Sequence, residues 1–213
     1  MRLNAPAEAP RLEMTDIYNH PVHVGSGQRR TLLCFFRDAA CPFCNFRIYE
    51  LTNHHRDLAR LGLDIVAVFG STREEVKRFV ARHPRPFRIV ADPDSRAHDI
   101  YRIERSLWGK LRAILTRIPT LLRGLRMVGL AGLRTNNLLP ADFLIDEEGR
   151  IVEAYYGRDA GDHIPIERVE WFVARGLLGR EKASTVELLA RELAAPATAG
   201  VAQVNPRSDL IRS

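Results

Sequence analysis

Two cysteines stand three residues apart, Cys41 and Cys44, in the stretch CPFC. A pair at this spacing can cycle between a dithiol and a disulfide, reduce a peroxide through a thiolate, supply half of a zinc site, or form a structural crosslink. Which of these four chemistries applies depends on the elements that position the pair.

The residues around the pair favour a reactive thiolate. An apolar and aromatic run over 32–36 predicts a strand, and apolar residues over 45–61 recur at helical spacing. Cys41 would then lie at a helix N-terminus, with Cys44 one turn inside, where free backbone N–H groups and the helix dipole favour a thiolate. Pro42 suits the first helical turn, because its missing N–H costs nothing there.

Helix geometry alone does not lower a thiol pKa far enough. The dipole contributes about 0.3–1 kcal/mol, whereas bringing a thiol pKa from about 8.5 to about 7 needs about 2 kcal/mol. Arg37 and Arg47 are the nearby cations that could supply the remainder. We interpret both as supporting residues of the site.

The two structural alternatives for the pair have little support. A zinc site needs four ligands, and the nearby candidates, His54 and His55, fall about three turns along the same predicted helix, beyond reach of Cys44. A crosslink that closes so short a loop constrains the unfolded chain little. The third cysteine, Cys34, lies in the apolar strand and is interpreted as a small buried hydrophobe. We expect no metal and no cofactor.

The composition predicts one substantial domain in a reducing compartment. The chain has 213 residues, of which 46% are hydrophobic and 27% charged. Three cysteines are too few for the disulfide framework of a small secreted domain, and neither a signal peptide nor a membrane span is evident. We therefore expect a cytoplasmic protein.

The net charge of +6 comes from one segment. Residues 105–141 contain seven basic side chains and no acidic ones, which leaves 25 basic and 26 acidic residues in the rest of the chain. This concentration argues against a nucleic-acid-binding surface spread over the fold. Apolar residues in a 4-3 alternation predict helices with one continuous stripe, kinked at Pro119. The stripe consists of Leu107, Leu111, Ile114, Ile118, Leu121, Leu125 and Val128.

This apolar stripe needs a partner, because so many exposed large side chains would form an adhesive patch. A cationic amphipathic segment can lie on an anionic membrane or bind another protein. Packing on its own domain or on a second copy is more common. We expect that packing here, with a possible homodimer through the segment.

The rest of the chain predicts alternating strands and helices. Strands are indicated over 63–69 and 87–90, with a capped helix between them. Residues 142–145 and 151–156 are predicted as antiparallel strands joined by a tight turn, and a helix follows over about 165–175. The fold class is therefore α/β.

These features together resemble the thioredoxin superfamily, and most closely its peroxiredoxin-like members of the alkyl hydroperoxide reductase/thiol-specific antioxidant family. The resemblance covers roughly Asp16 to Gly176 and is carried by the CPFC turn, the β-α-β order with a closing hairpin and helix, and Leu139-Pro140 before that hairpin. It implies a thioredoxin-like fold, with a central mixed sheet flanked by helices and an inserted basic helical segment.

The resemblance also implies a division of the chain. We expect an N-terminal tail over 1–15, the thioredoxin-like domain over 16–176 with the basic helical insertion at 105–138, a C-terminal helix over 177–194, and a mobile tail over 195–213.

Further site residues follow from the resemblance. In the superfamily a proline at the position of Pro140 is cis and faces the cysteine pair, and the loop after the last strand borders the pair. Here that loop contains Gly157, Arg158 and His163. The implied activity is that of a thiol oxidoreductase, whose dithiol reduces a peroxide or a protein disulfide and is restored by a thiol reductant.

The attacking sulfur and the electron acceptor stay open. Peroxiredoxins carry Pro-x-x-x-Thr-x-x-Cys, and aligning that cysteine with Cys44 puts Arg37 at the proline and Cys41 at the threonine. The alignment thus favours attack by Cys44, whereas a solvent-accessible position at the strand-to-helix junction favours Cys41, which we expect to attack. The alternative functions are a dedicated protein-disulfide reductase without peroxidase activity, and a redox-inert module that recruits a membrane or a partner through its basic helices.

Overall fold

The computed structural model describes residues 2–26, 29–129 and 136–178. In chain order its elements are β1 (Ala7–Glu8), β2 (Leu12–Thr15), β3 (Pro21–Val24), β4 (Arg30–Phe36), α1 (Pro42–Arg60), β5 (Leu63–Phe69), α2 (Arg73–Phe79), β6 (Arg88–Ala91), α3 (Arg96–Ile100), α4 (Leu107–Thr116), α5 (Ile118–Val128), β7 (Ala141–Ile145), β8 (Arg150–Tyr156) and a last helix, α6, over 166–178.

A mixed sheet with the strand order β1-β8-β7-β4-β5-β6 forms the centre of the domain, as predicted. Strand β4 pairs parallel with β5 and antiparallel with β7, so it lies inside the sheet. Both faces of β4 are covered, which explains why its sequence is a continuous apolar run rather than an alternation. The predicted hairpin is also confirmed, because β7 and β8 pair antiparallel.

Successive side chains of β4 enter two hydrophobic clusters on opposite faces of the sheet. Cys34 and Phe36 belong to the cluster that also contains both cysteines of the CPFC turn. Phe35 belongs to the other cluster. The dithiol is therefore part of the core on one side of the sheet.

Residues 7–15 form strands and contribute to the core of the domain, so the predicted N-terminal tail over 1–15 is wrong for this part. Strand β1 pairs with β8 at the edge of the main sheet, and β2 forms a separate hairpin with β3. Ala9 and Leu12 are buried. A two-residue strand has too few positions to show an alternation, which is why the sequence pattern missed β1.

The chain divides into two compact units after Gly176. Apart from its first two residues, the expected C-terminal helix over 177–194 lies outside the described residues, as does the expected tail over 195–213.

The basic insertion contains two helices, α4 and α5, instead of one kinked helix. Pro119 lies in the first turn of α5, and Arg117 ends α4 and precedes α5 with a non-helical backbone. Proline fits a first turn but not a helix interior, so the helix breaks here rather than bends. Within the described part of the chain, no helix is long and apolar enough to cross a membrane.

In α4 the apolar stripe does not pack on the domain, and packing on a second copy, the other half of the expectation, stays a prediction. Leu107, Leu111 and Ile114 are 69%, 46% and 37% exposed. Gly109 and Ala113 face the domain instead and are buried. A Cβ at Gly109 would lie 2.6 Å from the Leu139 side chain, so the helix approaches the domain too closely for a large residue.

Helix α5 follows the predicted pattern more closely. Val128 is buried, and Leu121 and Leu125 are half-buried, but Ile118 is 53% exposed. The stripe of the insertion is therefore buried toward its C-terminal end and exposed over α4 and the start of α5.

Candidate active site

The cysteine pair lies at the N-terminus of α1, directly after β4. Cys41 is the N-cap residue with an extended backbone, and Pro42 follows in the first turn of the helix. The backbone N–H of Cys41 donates to the carbonyl of Asp38 at 3.0 Å, which closes the turn between strand and helix. The helix begins at Pro42, which confirms the prediction of Cys41 at the helix N-terminus and Pro42 in the first turn, and Cys44 lies in that turn.

The environment of Cys41 lowers the pKa of its thiol to about 6. Burial opposes ionisation, but the Cys44 thiol, the Arg37 guanidinium and the backbone N–H groups of Cys44 and Phe43 together outweigh it. The sulfur forms no regular capping hydrogen bond, so the N–H groups act through their dipoles.

The pKa of the second thiol, Cys44, is shifted in the opposite direction. Burial, followed by the hydrogen bond to Cys41 and its charge, raises the pKa of Cys44 well above the usual range. A shared proton explains the split, since two adjacent thiols in a buried site do not ionise together. This split favours the thiolate at Cys41 and the thiol at Cys44.

Arg37 is fixed beside Cys41 by backbone carbonyls. Its side chain is buried, its Nε donates to the carbonyl of Leu138 at 2.5 Å, and a terminal nitrogen contacts the sulfur of Cys41 at 3.6 Å. The other terminal nitrogen donates to the carbonyl of Asn136, whose side chain donates back to the carbonyl of Arg37 at 3.1 Å. No described carboxylate forms an ion pair with Arg37, so its charge is available to the thiolate.

Arg47 is not brought to the cysteines. It donates to the carbonyl of Ile164 at 2.6 Å and contacts Glu50 at 3.4 Å. Six residues along an α-helix turn a side chain to a different face, which separates Arg47 from Cys41 at the N-cap. Of the two predicted cations, Arg37 alone acts on the pair.

A second buried polar cluster surrounds Asp142 on β7. Its carboxylate accepts from the backbone N–H of Ile164 at 2.7 Å and contacts Nδ1 of His163 at 3.0 Å. Burial raises the pKa of Asp142, but the charge and hydrogen bond of His163, with Arg47, outweigh it and lower that pKa. Asp142 was missed from the sequence, because one aspartate in a short apolar strand carries no local sign of burial.

Cys34 lies beside this cluster as a buried thiol. It pairs with Asp142 across β4 and β7 and is fully buried. Burial, and then the charge of Asp142, raise the pKa of its thiol. Its environment therefore disfavours the reactive thiolate form.

Pro140 and Gly157 pack together, whereas Arg158 turns outward. The N–H of Gly157 donates to the carbonyl of Pro140 at 2.9 Å, and a Cβ at Gly157 would meet the Pro140 ring at the same distance. The Arg158 side chain is 75% exposed and lies 3.8 Å from Asp162. No contact joins Arg158 to either cysteine.

The peptide bond before Pro140 is trans, so the predicted cis proline is wrong. The preceding segment is held on both sides, because Leu138 accepts from Arg37 and the N–H of Leu139 donates to the carbonyl of Glu104 at 2.7 Å. These bonds fix an extended path that a trans bond continues into β7.

Both cysteines are fully buried, which contradicts the expectation that solvent reaches Cys41. The basic insertion contributes to this burial. Ala113 of α4 belongs to the same hydrophobic cluster as Cys41 and Cys44, and Leu121 of α5 packs against that cluster. The insertion thus helps to cover the dithiol.

Two contacts hold the insertion in this position. Helix α5 crosses the start of α1 so closely that a Cβ at Gly124 would overlap the backbone carbonyl of Pro42. Arg117, between the two helices, forms ion pairs with Asp159 at 2.9 Å and Asp162 at 3.4 Å in the loop after β8. In the sequence, Arg117 is only one of the seven basic residues of the segment, with no sign of these ion pairs.

Gly124→Ala tests this close crossing. At an ordinary helix position, Gly→Ala stabilises by about 1 kcal/mol. We expect the opposite sign here, because the methyl group would push α5 away from Pro42. The midpoint of thermal unfolding should fall, and a bulky thiol reagent should modify the folded protein faster. Leu122→Ala, at an exposed position of the same helix, is the control; a raised midpoint with unchanged thiol reactivity in Gly124→Ala would contradict the crossing.

A pocket of about 540 Å³ borders the CPFC turn. Phe43, which lies between the two cysteines, lines it together with Arg47, Arg117 and His163. Arg47 Nε and His163 Nε2 are buried without a hydrogen-bond partner among the described residues. The pocket therefore combines an apolar wall at Phe43, between the two cysteines, with charged and polar side chains around it.

Comparison with known proteins agrees with this architecture. The model of the AhpC/TSA family matches residues 6–154. Peroxiredoxin Bcp of Bacillus subtilis is 21% identical over 168 residues, which cover 77% of this chain and 92% of that protein.

Two solved structures show the same fold. Peroxidoxin BcpB from Mycobacterium tuberculosis has a TM-score of 0.57 at 11% identity, covering 80% of this chain and 96% of its own. Peroxiredoxin Q from Xanthomonas campestris has a TM-score of 0.53 at 14% identity, covering 77% and 88%.

Proposed function

Because the chain belongs to the AhpC/TSA family and is a thiol-dependent oxidoreductase, we propose that it reduces small hydroperoxides through the dithiol of Cys41 and Cys44. The observation that carries this proposal is the split between the two thiols. One pKa is lowered to about 6 and the other is raised, so a nucleophile and a resolving thiol stand side by side.

The proposed reaction has two steps on the protein. The Cys41 thiolate attacks the distal oxygen of the hydroperoxide, the O–O bond breaks, and the other oxygen leaves and takes up a proton as water or an alcohol. Cys41 is now a sulfenic acid. The Cys44 thiol then attacks this sulfur, the S–S bond forms, and water leaves with the sulfenic oxygen and a proton.

Two further thiols must restore the dithiol. A reductant of this class delivers two electrons and two protons by thiol–disulfide exchange. The proposal places the protein in the cytoplasm, because thiols are kept reduced there.

Burial favours a small oxidant over a protein disulfide. Both cysteines are fully buried, and the sulfur of a protein disulfide must approach the attacking sulfur directly. A hydroperoxide needs only a narrow path, and the pocket lined by Phe43 borders the CPFC turn. Reduction of a protein disulfide would first require the basic insertion to move.

The experiment offers the reduced protein one equivalent of hydrogen peroxide or of a disulfide-bonded test protein. We expect fast oxidation by the peroxide and slow oxidation by the disulfide. Rapid mixing, acid quench and mass spectrometry measure both rates. The product should have lost two hydrogens, from Cys41 and Cys44. Fast disulfide exchange with slow peroxide reaction would instead identify a dedicated disulfide reductase, and inertness toward both would identify a redox-inert binding module.

A further inference from the structure

Helix α4 turns its large apolar side chains away from the domain. The residues that face the domain are small, Gly109 and Ala113, and both are buried. The opposite side is apolar and exposed, and the exposed side chains continue into the first turns of α5. We call this set the outer face; it consists of Leu107, Trp108, Leu111, Ile114, Leu115, Ile118 and Leu122.

The outer face consists of large apolar side chains, and all of them are exposed. Trp108 is 80% exposed, Leu107 69% and Leu115 66%. Single exposed leucines need no explanation, but a series of large apolar residues on successive helical turns indicates a binding surface.

The charges beside the outer face have one sign. Arg112, Arg123 and Arg126 are exposed on the same two helices, and none of them forms an ion pair with the described part of the chain. The segment from residue 105 to residue 141 contains no acidic side chain. The partner of this surface must therefore be apolar in the middle and anionic around it.

We propose that the outer face binds peripherally to a membrane surface rich in anionic lipids. An interfacial helix inserts its apolar side among the acyl chains while basic residues contact the lipid head groups. Helices α4 and α5 have that arrangement, with tryptophan and leucine on the exposed side and arginine beside them. This binding is independent of the proposed redox chemistry, because none of the outer-face residues contacts the dithiol.

A second copy of the chain fits the outer face less well. In a two-fold symmetric dimer the same surface meets itself, so the exposed arginines of one copy would approach those of the other. No acidic residue of the segment could compensate them. An anionic lipid surface instead supplies the opposite charge along the whole face.

The two tryptophans of the chain provide a built-in test of this proposal. Trp108 lies on the outer face, whereas Trp171 lies on α6 with a similar exposure of 70%. Trp171→Phe leaves Trp108 as the reporter, and Trp108→Phe leaves Trp171. With equimolar phosphatidylcholine and phosphatidylglycerol vesicles, we expect the emission of Trp108 to shift to shorter wavelength and to be quenched by brominated lipid. The emission of Trp171 should not change.

Vesicle flotation measures the binding itself. Retention of the protein on the anionic vesicles should be strong and should weaken with salt. If three arginines contribute, the protein should bind vesicles of phosphatidylcholine alone roughly a hundredfold more weakly. Leu115→Glu should abolish retention on the vesicles. Val152→Glu, at an exposed apolar position of β8, should leave that retention unchanged. A cooperative thermal unfolding transition of each variant, with a midpoint like that of the unmodified protein, verifies that both are folded.

Three results would overturn the proposal. They are equal retention on neutral and anionic vesicles, a fluorescence shift of Trp171 instead of Trp108, and no retention on either vesicle. The outer face is an interface between two copies if sedimentation shows a dimer that Leu115→Glu dissociates, and if vesicles bind neither the unmodified protein nor that variant.

Discussion

Replacing Cys41 with serine should abolish the reaction with hydrogen peroxide, whereas replacing Cys44 should stop it at an intermediate. In Cys41→Ser the remaining thiol of the pair has a raised pKa in the native site, and its thiolate would be scarce. In Cys44→Ser the thiolate of Cys41 still attacks, but no neighbouring thiol condenses with the sulfenic acid. A sulfenic-acid reagent should therefore label Cys41, and mass spectrometry locates the adduct.

Cys34→Ala is the control for the two cysteine variants. Cys34 lies in the same hydrophobic cluster but its thiol is held protonated, so this variant should form the internal disulfide as the unmodified protein does. A stable adduct on Cys44 in Cys41→Ser, with Cys44→Ser inert, would reverse the roles of the two cysteines and support the peroxiredoxin alignment.

The second large effect is expected from Arg37→Met. A hydrogen bond to a charged group is worth about 1.5–3 kcal/mol, so losing the guanidinium should raise the pKa of Cys41 by about 1–2 units. The thiolate is the reactive form, so the rate of peroxide reduction near neutral pH should fall by about two- to tenfold, and a higher pH should recover much of it. The pH profile of the rate, measured by rapid mixing, reports this shift.

Arg47→Met is the matched control for Arg37→Met. Both arginines are buried near the N-terminal half of α1, and each donates to backbone carbonyls, so both replacements should lower the midpoint of thermal unfolding. Only Arg37 contacts Cys41, so only Arg37→Met should move the pH profile. Equal shifts in the two variants would show that the effect comes from lost stability, not from the charge beside the sulfur.

The elements that position the dithiol could be predicted because their patterns are local. β4 and β5 are continuous apolar runs, and the hairpin of β7 and β8 has a turn with Gly149 at a positive φ of 78°, a conformation that glycine favours. The start of α1 could also be predicted, because Pro42 suits a first helical turn. The trans bond at Pro140 depends on contacts with Arg37 and Glu104, which are distant in sequence.

The orientation of the basic insertion shows a limit of periodicity. A 4-3 alternation identifies an amphipathic helix but does not say which side faces the domain. Gly109, Ala113 and Gly124 mark the side of close approach, and small residues at helical spacing were a signal that the apolar stripe obscured. The burial of Cys41 could not be predicted for the same reason, because it depends on which side of α4 and α5 faces the cysteine pair.

Asp142 and Asn136 had no comparable signal. Asp142 contacts His163, and the side chain of Asn136 donates to the carbonyl of Arg37. Both contacts form only when segments that are distant in sequence meet. Of the predicted supporting residues, Arg37 was the one whose position in the sequence, just after β4, already placed it beside the turn.

The central claim is that Cys41 is the thiolate of the pair, and ultraviolet absorbance of thiolates during a pH titration tests it directly. The reduced protein should show a thiolate step near pH 6, and Cys41→Ser should lack any step below pH 8, since the pKa values of Cys34 and Cys44 are both raised. A step near pH 6 that persists in Cys41→Ser and disappears in Cys44→Ser would contradict the claim and identify Cys44 as the nucleophile.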